Sequence, residues 1–505
     1  MTSPAVSATA QQTLTLRFFL VLGGYFLLHI LLRVTISDSL DYDEAEQALL
    51  GQWLLAGYTE QPPLYTWIQH ALFVLFGKNA FAISFMKNGL LFLTYVCVYF
   101  AACHILGDRR SAILAACSLL FIPQIGWESQ RDMTHTTLVV FAASATLWQA
   151  MRLIKNDSLL NYCILGLCLG TGVMAKANFA LFVTVTAIAL CSLAEGRRVL
   201  FTRRIAATLA VLVIFTGTYL VWMAGNQDIV FSATGKFKRG VEQYWLLGTV
   251  SLFRNSLLFL TPLWLICALI FPAGYLGRGL QGSDFHRRFI GRYLLFLCIT
   301  LVLIVLLFKV TYVKDRWLQP LLFVAPIFFF TRLSSAEITP RKFRIYLATV
   351  LVAAITVYAA FTFRVVGASY TGSYCRLNYP FQSFADDMRH SGFTEGLIIS
   401  NDRFLAGNFH CRFPASTAIV PDYRLETLVT SGRYSSVAVI WNVAESIPIP
   451  ADLEIFLRET YGFHAADYPI RYFQHPYLYA NDDAVNLAMM FIPRPPVLVG
   501  QSSTR

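Results

Sequence analysis

The sequence has little charge for its length. Asp, Glu, Lys and Arg make up 14% of its 505 residues and apolar residues make up 56%, whereas a soluble domain carries about 25% charged residues. No pair among the ten cysteines has zinc-finger spacing, and the chain contains no internal repeat or low-complexity tract. These absences exclude an ordinary soluble domain, a zinc finger and a repeat array, and they indicate a chain that is mostly solvated by lipid.

The net charge of +11 does not indicate a nucleic-acid partner. The basic residues fall in short clusters between apolar runs, which is the pattern of cytoplasmic loops in membrane proteins. The clusters are Arg109-Arg110, Arg152 with Lys155, Arg197-Arg198 with Arg203-Arg204, Arg278 with Arg287-Arg288, and Arg341-Lys342 with Arg344. The intervening loops are therefore expected on the opposite, periplasmic face, and membrane lipids are the partners that this pattern predicts.

Apolar segments of spanning length predict a polytopic α-helical membrane protein. Residues 1–13 are small and polar and are expected to be disordered, and residues 14–34 form a first span. Residues 37–87 carry amphipathic runs that predict interfacial helices in the first periplasmic loop. Further spans are expected at 88–106, 111–125, 134–151, 159–175, 177–194, 205–223, 256–276, 293–309, 317–333 and 345–363. About 11 transmembrane helices, an odd number, would place the rest of the chain on the periplasmic face.

Residues 365–505 differ in composition from the predicted transmembrane domain at 14–364. Short apolar runs alternate there with helical patterns, and this alternation predicts a small periplasmic α/β domain. Strands are expected at 396–400 and 436–441, and helices at 380–391 and 450–461. No glycine-rich phosphate loop occurs in this region, which argues against a nucleotide site.

Cysteine usage gives one further expectation. Eight of the ten cysteines lie in or at the ends of apolar segments, where a free thiol behaves as a small hydrophobe. Only Cys375 and Cys411 lie in the polar C-terminal region. If that region faces an oxidising compartment, these two are expected to form a disulfide.

The stretch after the first span is strongly acidic. Asp41, Asp43, Glu44 and Glu46 lie within six residues, and on a helix Asp43 and Glu46 share one face. Like charges this close repel and burial penalises them further, so water, a cation or a substrate must offset the cost. A solvated acidic loop is the alternative. In so apolar a chain we interpret the stretch as part of the active site of a membrane enzyme. Asp43 and Glu44 are catalytic candidates, and Asp41 is a substrate-binding candidate.

Two further polar motifs fall on the same predicted face. Glu60 precedes a rigid diproline and Tyr65 follows it, so both are substrate-binding candidates presented by a stiff backbone. Asp132, the third catalytic candidate, lies at the outer end of a span, where an ionisable group is costly and usually functional. An interfacial pair with Arg131 is the alternative. His135 is a substrate-binding candidate that by itself is more often a packing residue. These acids and the histidine would allow a divalent metal, but no spacing requires one.

Several cations lie in loops that are expected on the periplasmic face, although basic residues are usually enriched in cytoplasmic loops. Lys309, Lys314 and Arg316 cluster after one span, and Lys176 interrupts a long apolar stretch. Arg offers a bidentate fork for phosphate and Lys a compact charge. Snorkelling toward lipid headgroups, or capping of two helices by Lys176, is the alternative. Together with the carboxylates, these cations suit transfer of a group from a lipid phosphate, because they would stabilise the departing phosphate while a carboxylate accepts the acceptor's proton.

The chain resembles the GT-C glycosyltransferases. The resemblance is to the branch that includes the aminoarabinose lipid A transferases, the rhizobial lipopolysaccharide galacturonosyltransferases and, more distantly, the protein O-mannosyltransferases. It rests on Asp43-Glu44 after the first span, on the stretch from Glu60 to Trp67, on Asp132 before a span and on the stretch from Lys314 to Pro320. It covers roughly residues 14–333.

This resemblance implies a polyprenyl-phosphate sugar donor, inversion at the anomeric carbon and an active site in a periplasmic cavity of the bacterial inner membrane. It implies that Asp43 is the general base or orients the acceptor, and that Glu60 and Asp132 are further cavity acids. Lys314 and Arg316 match the cations that bind the donor phosphate.

One position departs from the family pattern. Relatives often have Lys beside the first cavity acid, whereas this chain has Gln61. One expected contact with the donor phosphate is therefore missing, or it is made instead by Lys176 or Lys309.

The leading hypothesis is a transferase that decorates a glycolipid, either lipid A or the lipopolysaccharide core. Galacturonic acid, aminoarabinose and a neutral hexose all remain open as the sugar. A protein or other polysaccharide glycosyltransferase is an alternative within the enzyme class. A lipid-linked sugar flippase would need two gated faces, yet the ionisable residues crowd one face, and a structural assembly protein would have no reason to hold these acids.

Overall fold

The computed structural model describes residues 4–59, 61–232, 235, 238–240, 242–276, 283–421, 426–429, 434–444, 448–480 and 482–493. The chain divides into two compact units. The first, called the membrane unit here, comprises Met1–His29, Ala56–Tyr65 and Lys87–Tyr358. The second, called the C-terminal unit, comprises Ile30–Leu55, Thr66–Met86 and Ala359–Arg505.

Long apolar helices dominate the part of the chain that the structure describes. By length and composition, six helices could cross a membrane, or up to nine if each of three bent helix pairs is one span. The six lie in α1 (Pro4–Ile36), α4 (Ala80–Leu106), α7 (His135–Lys155), α11 (Ile205–Gly225), α16 (Asp284–Leu307) and α19 (Pro340–Val366). The predicted polytopic helical architecture is thus confirmed, whereas the count of 11 spans stays a prediction.

Broken helices occur where a predicted span is short, or where two predicted spans follow each other with almost no loop between them. The segment predicted as a span at 111–125 consists of α5 (Arg109–Cys117), a 3-10 turn and a π turn that leads into α6 (Ser129–Asp132), with a bend of 73° between the two halves. Pro123 lies at the bend, where it cannot donate a helical hydrogen bond. The apolar stretch at 159–194 is divided into α8 (Leu159–Val173) and α9 (Phe179–Cys191), so Lys176 lies in a tight connection.

The remaining elements of the membrane unit are shorter. Between α9 and α19 they are α10 (Ala194–Leu200), α12 (Gln227–Ser232), α13 (Tyr244–Phe259), α14 (Leu263–Ile270), α15 (Ala273–Leu276), α17 (Gln319–Leu322) and α18 (Ala325–Thr331). Strands β1 (Lys238–Arg239) and β2 (Val310–Tyr312) form an antiparallel pair. This pair is followed by the turn that carries Lys314 and Arg316.

The N-terminal segment differs from the expectation. Residues 1–13 were expected to be disordered, but α1 begins at Pro4. Proline is favourable at a helix start because it has no N–H to leave unpaired, and the following alanines favour helix.

The C-terminal unit contains the predicted α/β arrangement. Its sheet has the strand order β4-β3-β5-β7-β6, in which β3 is parallel to β4 and β5, and β7 is antiparallel to β5 and β6. The strands are β3 (Leu397–Ser400), β4 (Thr417–Ile419), β5 (Ser436–Asn442), β6 (Ile470–Pro476) and β7 (Ala484–Pro493). Its later helices are α20 (Ala368–Thr371), α21 (Phe381–His390), α22 (Arg403–Arg412), α23 (Glu426–Val429) and α24 (Ala451–Tyr461). The predicted strands β3 and β5 and helices α21 and α24 are confirmed.

The first-loop segments also belong to the C-terminal unit. Helices α2 (Tyr42–Leu50) and most of α3 (Leu64–Phe76) bury apolar side chains in the same core as α21, α22 and the sheet. Gly407 permits this packing, because a Cβ there would lie 2.0 Å from the carbonyl oxygen of Ala45. The boundary that the sequence predicted at 364/365 therefore does not coincide with the division by contacts.

Both cysteines of the C-terminal region are free thiols. Cys375 Sγ lies 3.1 Å from Asn378 Oδ1, and burial raises the pKa of Cys411 to about 11. The predicted Cys375–Cys411 disulfide is not formed in this structure.

Candidate functional site

The acidic stretch forms the first turn of α2. Asp41 is the N-cap, its side chain accepts a hydrogen bond from the Tyr42 amide at 2.8 Å, and Glu44 completes a capping box. Asp43 lies in the same turn and is half-buried. The exposed amides and the dipole at a helix start favour carboxylates, so the local sequence explains both the helix start and its tolerance of clustered acids.

Glu44 is enclosed by the protein. Its carboxylate lies 2.6 Å from Arg33, and the two side chains are 1% and 5% exposed. Arg33 also donates to the carbonyl oxygens of Ser37 and Ser39. A buried ion pair with these further hydrogen bonds fixes the chain between α1 and α2. In this structure Glu44 positions α2 through its ion pair with Arg33, and its predicted catalytic role stays a prediction.

Arginines also neutralise the neighbouring acids. Asp41, whose side chain is 1% exposed, lies 3.3 Å from both Arg364 and Arg376. Glu46 lies 2.6 Å from Arg403. The sequence argument left water, a cation or a substrate open as the group that offsets these charges, and for these acids the structure supplies arginine cations. Asp41 is a cap and ion-pair residue in this structure, and its predicted substrate binding stays a prediction.

Tyr42 lies between two of these arginines. The guanidinium carbons of Arg376 and Arg403 are 4.6 Å and 4.4 Å from its ring centroid, distances typical of cation–π contacts. Burial raises the pKa of Tyr42, and the charge of Arg403 opposes that shift. Sequence reasoning missed all four arginines. Their only signals were that Arg33 and Arg364 end apolar spans.

A polar pocket adjoins Tyr42 within the C-terminal unit. Its volume is about 450 Å³ and its polar lining includes Tyr42, Arg376, Tyr379, Asn401, Asp402 and Asn442. Asn401 and Asp402 directly follow β3, and Asn442 ends the parallel neighbour β5. The chain leaves these two strands toward opposite edges of the sheet, and the crevice at such a point commonly binds ligands. Asn401 Oδ1 is buried and has no hydrogen-bond partner among the described residues.

In the membrane unit, three predicted residues come together around the connection between α8 and α9. The Tyr65 and His135 rings lie 5.3 Å apart. Lys176 Nζ donates to Thr136 Oγ1 at 2.7 Å, next to His135 in the chain. The Leu64 amide donates to the Met174 carbonyl oxygen at 3.2 Å. The structure therefore brings Tyr65, His135 and Lys176 to one place, and the role predicted for each stays a prediction.

The turn that carries Lys314 and Arg316 adjoins the same connection. Asn178 donates to the Trp317 carbonyl oxygen at 3.3 Å, and Lys314 lies over the Trp317 ring at 5.8 Å. The Asp315 carboxylate accepts from Gln124 at 2.7 Å. Arg316 is exposed. The turn is therefore anchored through Asp315, and its cations flank that anchor.

Two other predicted site residues, Lys309 and Glu60, are not among these contacts. Lys309 is exposed, and its ammonium lies 6.0 Å from the Tyr244 ring centroid. Its backbone has a positive φ of 52°, which is unusual for a residue with a side chain. Glu60 lies outside the described residues, so its predicted role stays a prediction.

The residues next to Asp132 in the chain make polar contacts that the sequence argument overlooked. Asp132 ends α6 and is half-buried, while its neighbour Arg131 pairs with Glu128 at 2.6 Å. The backbone carbonyl oxygen of Gln130, two residues before Asp132, accepts a hydrogen bond from Lys87 Nζ at 3.1 Å. Lys87 is 1% exposed. A fully buried lysine inside α4 was the missed signal, since such a group requires polar partners.

The possibility of a metal centre was also raised by the sequence. Across the described ranges, no group of three or more His, Cys, Asp or Glu side chains is arranged to hold a metal ion. Metal dependence therefore stays an open prediction.

The comparisons with known proteins place these features in context. Residues 60–222 match the family model described as dolichyl-phosphate-mannose-protein mannosyltransferase. The chain is 35% identical over 415 residues to the lipopolysaccharide core galacturonosyltransferase RgtA of Rhizobium johnstonii, which covers 80% of this chain and 82% of that protein. It is 33% identical to RgtB of the same organism over 474 residues, 92% of this chain and 95% of that protein.

Two further matches are more remote. An undecaprenyl phosphate-alpha-4-amino-4-deoxy-L-arabinose arabinosyl transferase of Photorhabdus laumondii is 29% identical over 160 residues, which is 29% of each chain. The crystal structure of ArnT from Cupriavidus metallidurans bound to undecaprenyl phosphate superposes with a TM-score of 0.57 at 12% identity, over 96% of this chain and 99% of that one. At this identity the structural match shows a shared fold.

Proposed function

We propose, because the chain belongs to the GT-C glycosyltransferase superfamily, that it transfers galacturonic acid from a polyprenyl-phosphate donor to a lipopolysaccharide core acceptor. That the chain is a membrane glycosyltransferase using a lipid-linked sugar follows from its family. The choice of sugar and acceptor is the proposal.

One observation supports galacturonic acid over the other sugars. The two galacturonosyltransferase relatives match over 82% and 95% of their own lengths. The aminoarabinose transferase relative from Photorhabdus laumondii matches over only 29% of its length. The similarity to the galacturonosyltransferases therefore extends into the C-terminal region, where an acceptor-specific site could differ between branches.

We assign the chemistry to residues on α2 and on the cationic turn. The acceptor hydroxyl oxygen attacks the anomeric carbon as the carbon–oxygen bond to the donor phosphate breaks, which inverts that carbon. Asp43 accepts the hydroxyl proton as general base. The polyprenyl phosphate leaves with the bonding electron pair, and Lys314, Arg316 and Lys176 stabilise its charge. Asp132 is proposed as a second catalytic acid, and Tyr65 and His135 are proposed to contact the substrates.

The polar pocket beside Tyr42 is our candidate for the acceptor sugar. Asn401 Oδ1 offers an acceptor for a sugar hydroxyl, and Arg376 offers a fork for a carboxylate. The volume of about 450 Å³ is within the range of small-ligand pockets. Tyr42 and Asp43 are adjacent on α2, so a sugar held there would lie on the helix that carries the proposed base.

The location follows from the charge pattern. We propose a multi-pass protein of the bacterial inner membrane, with the acidic helix and the C-terminal unit in the periplasm, because the basic clusters occupy alternate loops.

The test is mass spectrometry of lipid A and core oligosaccharide from a host with the chain deleted, then complemented with the native chain or with Asp43→Asn. Loss of galacturonic acid from the core, restored by the native chain alone, is the expected result. A sugar lost from lipid A, or a different sugar, would redirect the assignment within the family. Full rescue by Asp43→Asn would favour a lipid-sugar flippase over a transferase.

A further inference from the structure

We infer that the membrane unit holds a binding site for an anionic phospholipid, formed by α1, α5 and α19 at the end where α5 and α19 begin. The existence of the site does not depend on the proposed transfer reaction, but the choice of its occupant rests on that proposed function. It begins from three arginines that neither the resemblance nor the catalytic argument uses.

The three arginines line one recess, called the arginine recess here. Arg17 comes from α1, Arg110 from the first turn of α5 and Arg344 from the first turns of α19, and the recess has a volume of about 420 Å³. All three side chains are exposed. Arg344 Nε donates to the Pro340 carbonyl oxygen at 3.4 Å. Within the described ranges, none of the three forms an ion pair with a carboxylate.

Three converging guanidinium groups without a carboxylate repel one another. An anion between them would remove that cost, and phosphate suits them because guanidinium groups bind its oxygens through paired hydrogen bonds. Positive charge on this face is expected from the loop pattern alone. The loop pattern does not predict that arginines from three separate helices line one recess. The orientation of a protein in the membrane depends on how many basic residues a loop carries, and not on whether their side chains lie close together.

An apolar groove continues from the arginine recess. It has a volume of about 710 Å³, and the two cavities share Leu14, Arg17 and Phe343. Most of its lining comes from α1 and α19, with further residues from α4 and α5, and Tyr25 and Tyr358 line it further along α1 and α19. A basic recess that opens into an apolar groove between membrane helices matches a ligand with a phosphate head and an acyl tail. Basic pockets between membrane helices on the cytoplasmic side are known to bind anionic lipid headgroups.

We commit to a phospholipid of the surrounding leaflet as the occupant. A polyprenyl phosphate shares the phosphate and the apolar tail. However, Arg110 and Arg344 of the recess belong to basic clusters expected on the cytoplasmic face, whereas the donor is consumed on the opposite face in our proposal.

The test is native mass spectrometry of the full-length chain in detergent. The lipids are phosphatidylglycerol, phosphatidylcholine with the same acyl chains, and a polyprenyl phosphate. We expect phosphatidylglycerol to be retained in preference to both. The triple variant Arg17→Gln, Arg110→Gln and Arg344→Gln should weaken that retention about 100-fold, since each basic residue near a lipid surface contributes about fivefold.

Two further variants distinguish binding at this site from attraction of the lipid to basic residues elsewhere on the protein. The control Arg198→Gln, Arg203→Gln and Arg288→Gln removes the same charge from basic clusters that do not line the recess, and it should retain the lipid. Ala354→Phe narrows the groove and leaves the arginines intact, so it should also weaken retention. Equal retention of phosphatidylcholine, unchanged binding in the recess triple variant, or preferred binding of polyprenyl phosphate would each overturn the inference. Thermal unfolding in detergent checks that every variant is folded.

Discussion

The acidic start of α2 and the cationic turn at 314–319 hold their charges in opposite ways. On α2, Asp41, Glu44 and Glu46 each lie within 3.3 Å of an arginine of the C-terminal unit. In the turn, the acid Asp315 is held by the amide of Gln124 at 2.7 Å, and Arg316 is exposed and has no carboxylate partner in the described part of the chain. Charges held by fixed protein partners form a framework, whereas an exposed cation can bind a ligand.

This contrast changes which residues should matter for chemistry. Three of the four clustered acids form ion pairs that position α2. Among the four we propose Asp43 as the general base, because that is the role the family resemblance implies for it. The comparison can be tested by removing one charge at a time and asking whether activity or stability is lost.

The largest effect is expected for Asp43→Asn. The amide has nearly the shape of the carboxylate but cannot accept the acceptor's proton, so transfer should fall by at least about 100-fold. The midpoint of thermal unfolding should stay unchanged. The measurement is a transfer assay with purified protein, and Asp386→Asn, an exposed acid of the same unit, is the control. Normal transfer by Asp43→Asn would remove the catalytic assignment.

Glu44→Gln should have the reverse profile. It leaves Arg33 buried without its counter-charge, which is expected to cost about 3–5 kcal/mol, seen as a large fall in the midpoint of thermal unfolding. Glu46→Gln is the control, because the side chain of its partner Arg403 is 33% exposed and exposed pairs contribute little. A stable Glu44→Gln protein that has lost transfer would support the predicted catalytic role of Glu44.

The sequence was informative where the pattern is local. Spanning length, positive loops and alternating apolar runs predicted the helical membrane architecture, β3, β5, α21 and α24, because periodicity and length act over neighbouring residues. Amphipathic runs from Ala45 to Leu55 and from Tyr65 to Phe76 also predicted helices, which the structure has at Tyr42–Leu50 and Leu64–Phe76. They were expected to lie on the membrane surface, whereas they bury apolar side chains in the core of the C-terminal unit.

The partners of the acids could not be predicted in the same way. Arg364, Arg376 and Arg403 lie more than 300 residues from α2 in sequence, and no local pattern pairs such residues. For the same reason the acids of α2 were interpreted as available for substrate. Lys87 was missed although it interrupts an apolar helix, a signal equal to the one that identified Lys176.

The helix beneath α2 gives a prediction for pH. His410 on α22 is 1% exposed, and burial, with a smaller effect of Lys78, lowers its pKa to about 3. The unfolded chain therefore binds a proton below about pH 6.5 that the folded chain does not. This stabilisation is complete above pH 6.5 and is lost as pH falls toward 3, by about 2 kcal/mol at pH 5. Thermal unfolding between pH 5 and 7.5 measures it. His410→Gln should flatten the profile, and His464→Gln, at an exposed site, should not.

On the cationic side of the comparison, Arg316→Ala should weaken donor use. Losing one charged hydrogen bond to phosphate corresponds to about a tenfold rise in the donor KM, with a smaller change for the acceptor. Lys309→Ala is a matched control, since that exposed lysine lies over Tyr244, and its effect should be smaller. Equal donor KM values for the native chain and Arg316→Ala would show that the exposed arginine is not a ligand for phosphate.

The smallest effect is expected in the polar pocket beside α2. Asn401→Ala removes a buried acceptor that has no partner among the described residues, so folding should lose little. If a sugar hydroxyl donates to that oxygen, the acceptor KM should rise about fivefold while kcat and the donor KM stay constant. Asn486→Ala, at an exposed position of β7, is the control. An unchanged acceptor KM would mean that the pocket of the C-terminal unit does not bind the acceptor. The unit would then serve to hold α2 in place, and Asp43 would be its one proposed contact with substrate.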